Sequence, residues 1–220
     1  MNKICGVDEV GRGSLAGPVI SAAVILPKNH GLSGLTDSKK IPSKKRKEIF
    51  FDILNFAEIG IGIVSSGMID KINILQATYK SMTMAIEKLD DLPQKILVDG
   101  FAIPTPKFDT EGVIKGDQKI DEISAASIVA KVCRDKLMKM IDPIFPEFDF
   151  ASNKGYGTKF HLEALKEYKA CRVHRKSFNP VKNYLKNEMI DKQKMKKENT
   201  KLEAINEEIN NWFTSKGIKR

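Results

Sequence analysis

The stretch Ile4-Cys5-Gly6-Val7-Asp8-Glu9-Val10-Gly11-Arg12-Gly13 decides how the remaining chain is organised. Ile4 to Val7 is a short apolar run of the kind that forms a buried strand. Asp8 and Glu9 close it, and a Gly-Arg-Gly turn follows at once. An unpaired carboxylate in a core costs several kcal/mol or more, so these two belong to a site or to a solvated turn. Side chains alternate along a strand, so both reach one site only where the strand ends or twists. Glycines permit that bend and let backbone N–H groups come close to a ligand. Acids at a strand end beside a glycine turn suit a hard metal ion, and an exposed turn with incidental charge is the plain alternative.

Working outward, Val19–Leu26 is a second strand closed by Pro27, and the glycine turn between the two predicts an antiparallel pair. Asp37-Ser38-Lys39-Lys40 leads to a helix capped by Ser43, with Ile49, Phe50, Ile53 and Leu54 on its apolar face. Six basic residues between Lys39 and Lys47 suit a charged helix face or phosphate contacts. Ala57–Val64 alternates as a third strand, and Ile72–Leu89 has helical spacing through Leu75, Tyr79, Met82 and Ile86. Lys95–Gly100 repeats the opening device: an apolar strand, Asp99 at its end, then glycine. Gly112–Asp117 is expected to be a further strand ending in an acid. Glu122–Ile141 is a helix whose first turns, Ser124 to Ser127, are slim enough for close packing. A glycine loop bearing Tyr156 precedes a helix from Lys159 to about Tyr168, and a helical stretch follows Pro180.

The 220 residues fit one full core with an appendage. The net charge of +9, from 37 Lys and Arg against 28 Asp and Glu, favours a polyanionic partner. Three scattered cysteines form neither a disulfide framework nor a metal knuckle, which suits a reducing cytoplasm. Asp8 and Glu9 interrupt the first apolar run before a signal peptide can form. No stretch approaches the roughly 20 apolar residues of a membrane span. From Lys182 the composition turns polar, with 10 basic and 6 acidic residues. Leu202, Ile205, Ile209, Trp212 and Phe213 would line one side of a terminal helix that docks on the body. The expected division is therefore 1–181 as the body and 182–220 as a basic helical tail.

Strands with intervening helices make an α/β domain. Its strand ends deliver Asp8, Glu9, Asp99 and Asp117, four acids that would repel one another without a cation. Oxygen-only donors suit Mg²⁺ or Mn²⁺, and an acidic metal site in a basic protein implies a phosphodiester substrate. Asp117 precedes a helix and would also serve as its cap. Asp99-Gly100 would also serve as a turn, and Asp135 reads as an ion-pair partner within its helix.

Seven motifs, in order, resemble those of bacterial ribonuclease HII. They are Asp8–Gly13, Asp37–Lys40, Val98–Gly100, Lys115–Asp117, Ser124–Lys131, Gly155–Thr158 with His161, and His174–Phe178. The resemblance spans about residues 3–181 and implies a ribonuclease H-like fold, a central mixed sheet flanked by helices, with a helical C-terminal region. It implies hydrolysis of RNA in RNA–DNA hybrids, and incision 5′ to a single ribonucleotide in duplex DNA that leaves 3′-hydroxyl and 5′-phosphate ends. Such an enzyme removes ribonucleotides and RNA primers as a cytoplasmic monomer. The resemblance further implies that Asp8, Glu9, Asp99 and Asp117 hold Mn²⁺ or Mg²⁺ and carry catalysis. Gly11, Arg12 and Gly13 would sense the ribose 2′-hydroxyl, which alone distinguishes the two sugars. Tyr156 would pack at the RNA–DNA junction, with Lys39, Arg172 and Arg175 as phosphate contacts. Val10 and Ser14 depart from the alanine and proline usual in that motif.

Three rivals are weaker. Ribonuclease HIII carries a further N-terminal domain, for which the position of Asp8 leaves no room. A dinucleotide enzyme would need a helix, not a strand, after Gly11-x-Gly13-x-x-x-Gly17. A basic nucleic-acid-binding protein with structural acids would bind without cutting.

Overall fold

Strand β1 (Ile4–Val10) takes the middle of a five-stranded sheet in a computed structural model that describes residues 3–90, 92–185 and 192–220, with side chains from 195 in the last segment. On one side lies β2 (Val19–Ile25), then β3 (Glu58–Val64), each antiparallel to its neighbour. On the other lie β4 (Lys95–Asp99) and β5 (Thr110–Val113), both parallel to β1. The spatial order is β3-β2-β1-β4-β5, a mixed sheet.

Helices cover both faces because β2 is apolar on both. Ile20, Ala22 and Val24 join a cluster with helix α1 (Ser43–Phe56) and helix α3 (Asp121–Ile141). Ala23 and Ile25 join Cys5, Val7 and the Met82, Ala85 and Ile86 of helix α2 (Ser66–Ile86) on the opposite face. Glycine makes two of these contacts possible. A Cβ on Gly6 would lie 2.1 Å from the Glu122 carbonyl carbon, and one on Gly62 would lie 1.9 Å from the Ser81 carbonyl oxygen. Cys5, Cys133 and Cys171 are buried and unpaired.

Several boundaries differ from the sequence reading. Pro42, not Ser43, stands at the N-cap of α1, and no side chain caps it. Helix α2 begins six residues earlier than the periodic stretch, at Ser66, and is broken at Asn73 (φ 65, ψ 168). That conformation is strained for a residue with a Cβ, and the Asn73 Oδ1 accepts from the Gln76 amide at 3.1 Å, so the side chain caps the second segment. Leu75 lies on the outer side of that segment, exposed. Strand β5 ends at Val113, and Asp117 sits in a tight 3₁₀ turn, Gly116–Gln118, entered through left-handed Lys115.

Two short helices follow α3: α4 (Phe150–Asn153), which lacks a periodic signal, and α5 (Lys159–Tyr168), capped by the Thr158 hydroxyl. A 3₁₀ turn, Val181–Tyr184, is the helical stretch after Pro180. Helix α6 (Lys192–Ser215) docks as its apolar side predicts. Ile209 and Phe213 are buried in the α1–α3 cluster, and Trp212 stacks on Phe50 with centroids 5.9 Å apart. Beyond the helix, Ile218 is buried and Lys219 bonds main chain to main chain with Ile59 and Ile61, extending the sheet past β3. No helix of the described residues is long and apolar enough to cross a membrane.

Candidate active site

The C-terminal ends of β1, β4 and β5 point the same way, and the acids gather there. Pairing between β1 and β4 stops at Val7–Val98, while β1 continues to Val10 against β2 alone. Asp8 and Glu9 therefore lie within β1 on its β2 side but past its end on the β4 side, facing Asp99 across the opening. Even-numbered residues of β1 face α3, so Asp8 is buried beneath that helix and accepts from the Ser127 hydroxyl. Its Oδ1 also accepts from the Glu9 amide at 2.7 Å. Glu9 takes the other side, 3.6 Å from the Arg12 guanidinium. Asp99 Oδ1 accepts from the Gly116 amide at 2.8 Å, which draws the turn carrying Asp117 toward it.

Charge state follows from this crowding. Burial, then Glu9 and Asp99, raise the Asp8 carboxyl well above the ordinary range, against the bonds from Ser127 and the Glu9 amide. Burial and Asp99 raise Glu9, opposed by Arg12 and Lys39. Burial, Asp99 and Asp37 raise Asp117, opposed by Lys39 and Lys40. Lys39 thus faces the acid cluster from its rim, exposed on the Asp37–Lys40 loop. That loop is held from below: Ser38 Oγ meets Ser127 Oγ at 2.9 Å and Ser124 donates to the Thr36 carbonyl. Arg46 donates to the carbonyls of Ser38 and Ile41, both at 2.7 Å. Arg46 is buried, so one member of the basic run supports the loop instead of facing solvent.

The Gly11–Gly13 turn lies beside the acids, against the loop that carries Tyr156. Gly155 accepts from the amides of Leu15 and Ala16 at 2.7 and 3.3 Å, joining loop to turn. Tyr156 is half-buried, with Lys131 and Arg134 over its ring at 5.9 and 5.5 Å. Ser14 replaces proline's stiffness with bonds: its hydroxyl donates to the Gly11 carbonyl at 2.8 Å and accepts from Arg134 at 2.7 Å.

A sequence model of ribonuclease HII matches residues 5–181. The chain belongs to the ribonuclease HII family. It is 48% identical over 188 residues to the ribonuclease HII of Bacillus cytotoxicus, covering 84% of this chain and 72% of that one. Among solved structures it resembles the ribonuclease H2 of Pyrococcus horikoshii OT3, with a TM-score of 0.68 at 24% identity over 83% of this chain and 96% of that one. It likewise resembles the ribonuclease HII from Archaeoglobus fulgidus solved in complex with PCNA, with a TM-score of 0.69 at 23% identity over 86% and 98%. A ribonuclease HIII solved with Mn²⁺ shares the fold at a TM-score of 0.67 and 16% identity over 83% and 68%. Members of the ribonuclease HII family hydrolyse the RNA strand of RNA–DNA hybrids, and this chain is a ribonuclease H.

Family membership removes the binding-only reading. The dinucleotide reading falls on topology, since antiparallel β2 follows the glycine turn. Arg175 needs correction. It is fully buried and donates to the carbonyls of Gly17, Arg12 and Gly11, so its guanidinium faces the turn and not a phosphate. Arg172 is exposed. Asp135 is an ion-pair partner as expected, with Lys131 at 2.7 Å and Arg46 at 3.8 Å.

Ser127, Ser14, Arg134 and the His161–His174 pair escaped the sequence reading as site residues, although their motifs were visible. Among the described residues, no three His, Cys, Asp or Glu side chains stand as a closed ligand set. The donor chemistry nevertheless fits a hard divalent ion. Asp8 is buried with two acids raising its carboxyl and, among the described residues, no basic group in contact, and the donors gathered there are carboxylate oxygens.

Proposed function

We propose that the chain is an endoribonuclease that cuts RNA in RNA–DNA hybrids and incises duplex DNA 5′ to a single ribonucleotide. The products carry 3′-hydroxyl and 5′-phosphate ends. Residues 1–181 form the catalytic body and 182–220 a helical tail packed on it, acting as a cytoplasmic monomer in ribonucleotide removal and primer degradation.

The observation that carries this reading is the gathering of Asp8, Glu9 and Asp99, with Asp117 drawn in through Gly116, where β1 and β4 part beside a glycine turn. Asp8, Glu9, Asp99 and Asp117 would hold Mn²⁺ or Mg²⁺. When bound, the ion supplies charge neutralisation at the phosphodiester and activation of water. The chain's own groups do the rest. Ser127 and the Glu9 amide orient Asp8, and the Gly116 amide orients Asp99. The Arg12 and Gly13 amides would sense the ribose 2′-hydroxyl, and Tyr156 would pack on the sugar at the RNA–DNA junction. Lys39 and Arg172, both exposed, would meet phosphates.

The test is a labelled DNA duplex with one ribonucleotide, incubated with Mg²⁺, Mn²⁺ or EDTA and with an Asp99→Asn control. The expected result is one cut 5′ to the ribonucleotide, absent in EDTA and in the variant. Cutting of long hybrids alone would remove the junction role of Tyr156 and the turn. No cutting of either substrate by folded protein would overturn the reading.

A further inference from the structure

Two arginines lie beneath the Gly11–Pro18 turn, and neither has a carboxylate partner among the described residues. Arg134 and Arg175 are each 0% exposed. Arg134 donates to the carbonyls of Pro18 at 2.9 Å, Ala16 at 3.1 Å and Lys154 at 2.9 Å, and to the Ser14 hydroxyl at 2.7 Å. Arg175 donates to the carbonyls of Gly17 at 3.0 Å, Arg12 at 2.8 Å and Gly11 at 2.6 Å. Their charges are thus held by main-chain dipoles. Burying a guanidinium is expensive, and apolar residues often fill such a volume as well or better. Burial, and then the neighbouring Arg134, bring Arg175 down to about 9. A fold that keeps both charges there is using them to orient something.

What they orient is the turn's peptide planes. In a trans peptide the C=O and the following N–H point in opposite directions. The one cis bond in the described chain is Asn179–Pro180. With the Gly11 and Arg12 carbonyls drawn inward to Arg175, the amides of Arg12 and Gly13 point outward. Among the described residues neither amide meets a protein acceptor, whereas Ser14, Leu15, Ala16 and Gly17 all use theirs within the fold. Glycine is required at position 11 and leaves open space at position 13. Gly11 has φ +93, and a Cβ there would lie 2.2 Å from Arg134 Nε; at Gly13 a Cβ would meet nothing within 4 Å, so that side is open to a ligand.

We infer that Arg134 and Arg175 are positioning residues for ribonucleotide recognition, holding the turn's carbonyls inward so that the Arg12 and Gly13 amides present two donors to the sugar 2′-hydroxyl. This rests on the reading of the turn given above. Lysine keeps the charge but offers one nitrogen in place of a planar fork, so it cannot hold several carbonyls in fixed directions.

Arg175→Lys and Arg134→Lys, each made in the uncutting Asp99→Asn background with Mg²⁺, test the inference. Fluorescence anisotropy compares binding to a duplex containing one ribonucleotide with binding to the all-DNA duplex of the same sequence. In the parent, a preference of about fivefold for the ribonucleotide is expected from one well-made hydrogen bond. In the lysine variants the preference falls to about one while all-DNA binding is unchanged. A folded variant that keeps the preference overturns the inference. So does an equal loss on both duplexes, which a purely structural role would produce. If the lysine variants melt below the assay temperature, Ser14→Ala removes a single Arg134 acceptor: a reduced preference supports the inference and an unchanged one overturns it. No preference in the parent would remove the reading of the turn, and the inference with it.

Discussion

His174 donates from Nε2 to Nε2 of His161 across 2.9 Å in the interior of the C-terminal region. The partners on either side set both tautomers. His161 Nδ1 lies 2.8 Å from the Tyr156 carbonyl, which can only accept, so His161 carries its proton there and offers Nε2 as the acceptor. His174 Nδ1 accepts from the Cys171 amide at 3.0 Å, so its proton is on Nε2. The chain of bonds runs from Cys171 to the Tyr156 carbonyl and works only while both rings are neutral. Phe148 and Phe150 pack against both rings and offer no charge compensation.

Acid should therefore loosen the loop that carries Tyr156. Burial and His161 push His174 down to about 3, and burial lowers His161. An unfolded histidine titrates near 6.5, so between about 6.5 and 3 the unfolded chain binds more protons and stability falls as pH falls. His174 contributes up to about 1.4 kcal/mol per pH unit within that window, and His161, lowered by burial, adds to the decline below about 6.5. Urea denaturation at pH 7.5, 6.5 and 5.5 should show the decline in the wild type. His174→Gln should start lower and decline less steeply. Equal slopes in the two proteins would rule out the pair as the source.

The tail should behave as part of the core. Phe213 is 1% exposed and packs in the α1–α3 cluster beside Trp212, the chain's single tryptophan. Phe213→Ala should cost about 3–5 kcal/mol, the usual range for a buried aromatic. Because Trp212 stacks on Phe50, its emission and far-UV circular dichroism should report one shared transition. Early loss of the Trp212 signal, with the dichroism midpoint unmoved, would mean that α6 melts as a separate unit.

Gly6 sets how closely β1 approaches α3, and so where Asp8 sits under Ser127. An alanine Cβ would lie 2.1 Å from the Glu122 carbonyl carbon and 2.2 Å from the Ile123 amide nitrogen, backbone that cannot swing aside. Gly6→Ala should destabilise by about 1–3 kcal/mol or more, and hybrid cleavage should fall because the strand must move. Thermal melting and a hybrid-cleavage assay check both effects; wild-type values in both would show that β1 and α3 separate at little cost.

The parts of this fold that rest on local chemistry were legible in the chain. Short apolar runs closed by an acid and a glycine located β1 and β4, and periodicity located α1, α3 and α5. Even the docking of α6 followed from the spacing of Leu202, Ile205, Ile209, Trp212 and Phe213. What local chemistry does not carry was missed. Arg175 reads as a surface cation until the carbonyls of Gly11 and Arg12, more than 160 positions away, are seen to surround it. Asn73 looks like one polar residue in a helix until its own capping bond breaks that helix. The sequence puts Asp117 at a strand end, but Lys115 adopts a left-handed conformation that turns the chain before the acid arrives. The acids themselves were found because unpaired carboxylates at apolar strand ends are costly, and cost is visible in sequence.

That cost gives the last prediction a definite sign. Burial, then Glu9 and Asp99, raise the Asp8 carboxyl, and among the described residues Ser127 and the Glu9 amide are its compensating contacts. Asp8→Asn removes one of the mutually repelling acids while keeping an oxygen that can accept from both donors. Without divalent ions the variant should be more stable than the wild type, by about 1–2 kcal/mol, the direction seen when function holds like charges together. Adding Mg²⁺ or Mn²⁺ should raise the wild-type melting temperature, because a ligand bound only by the folded state stabilises it. The variant should gain much less and should lose hybrid cleavage by at least about a thousandfold. Paired melts in EDTA and in Mg²⁺ read both effects without relying on activity. A less stable variant in EDTA would mean that Asp8 contributes more through its hydrogen bonds than it costs by repulsion. An equal Mg²⁺ gain in both proteins would take Asp8 out of the ion's ligand set.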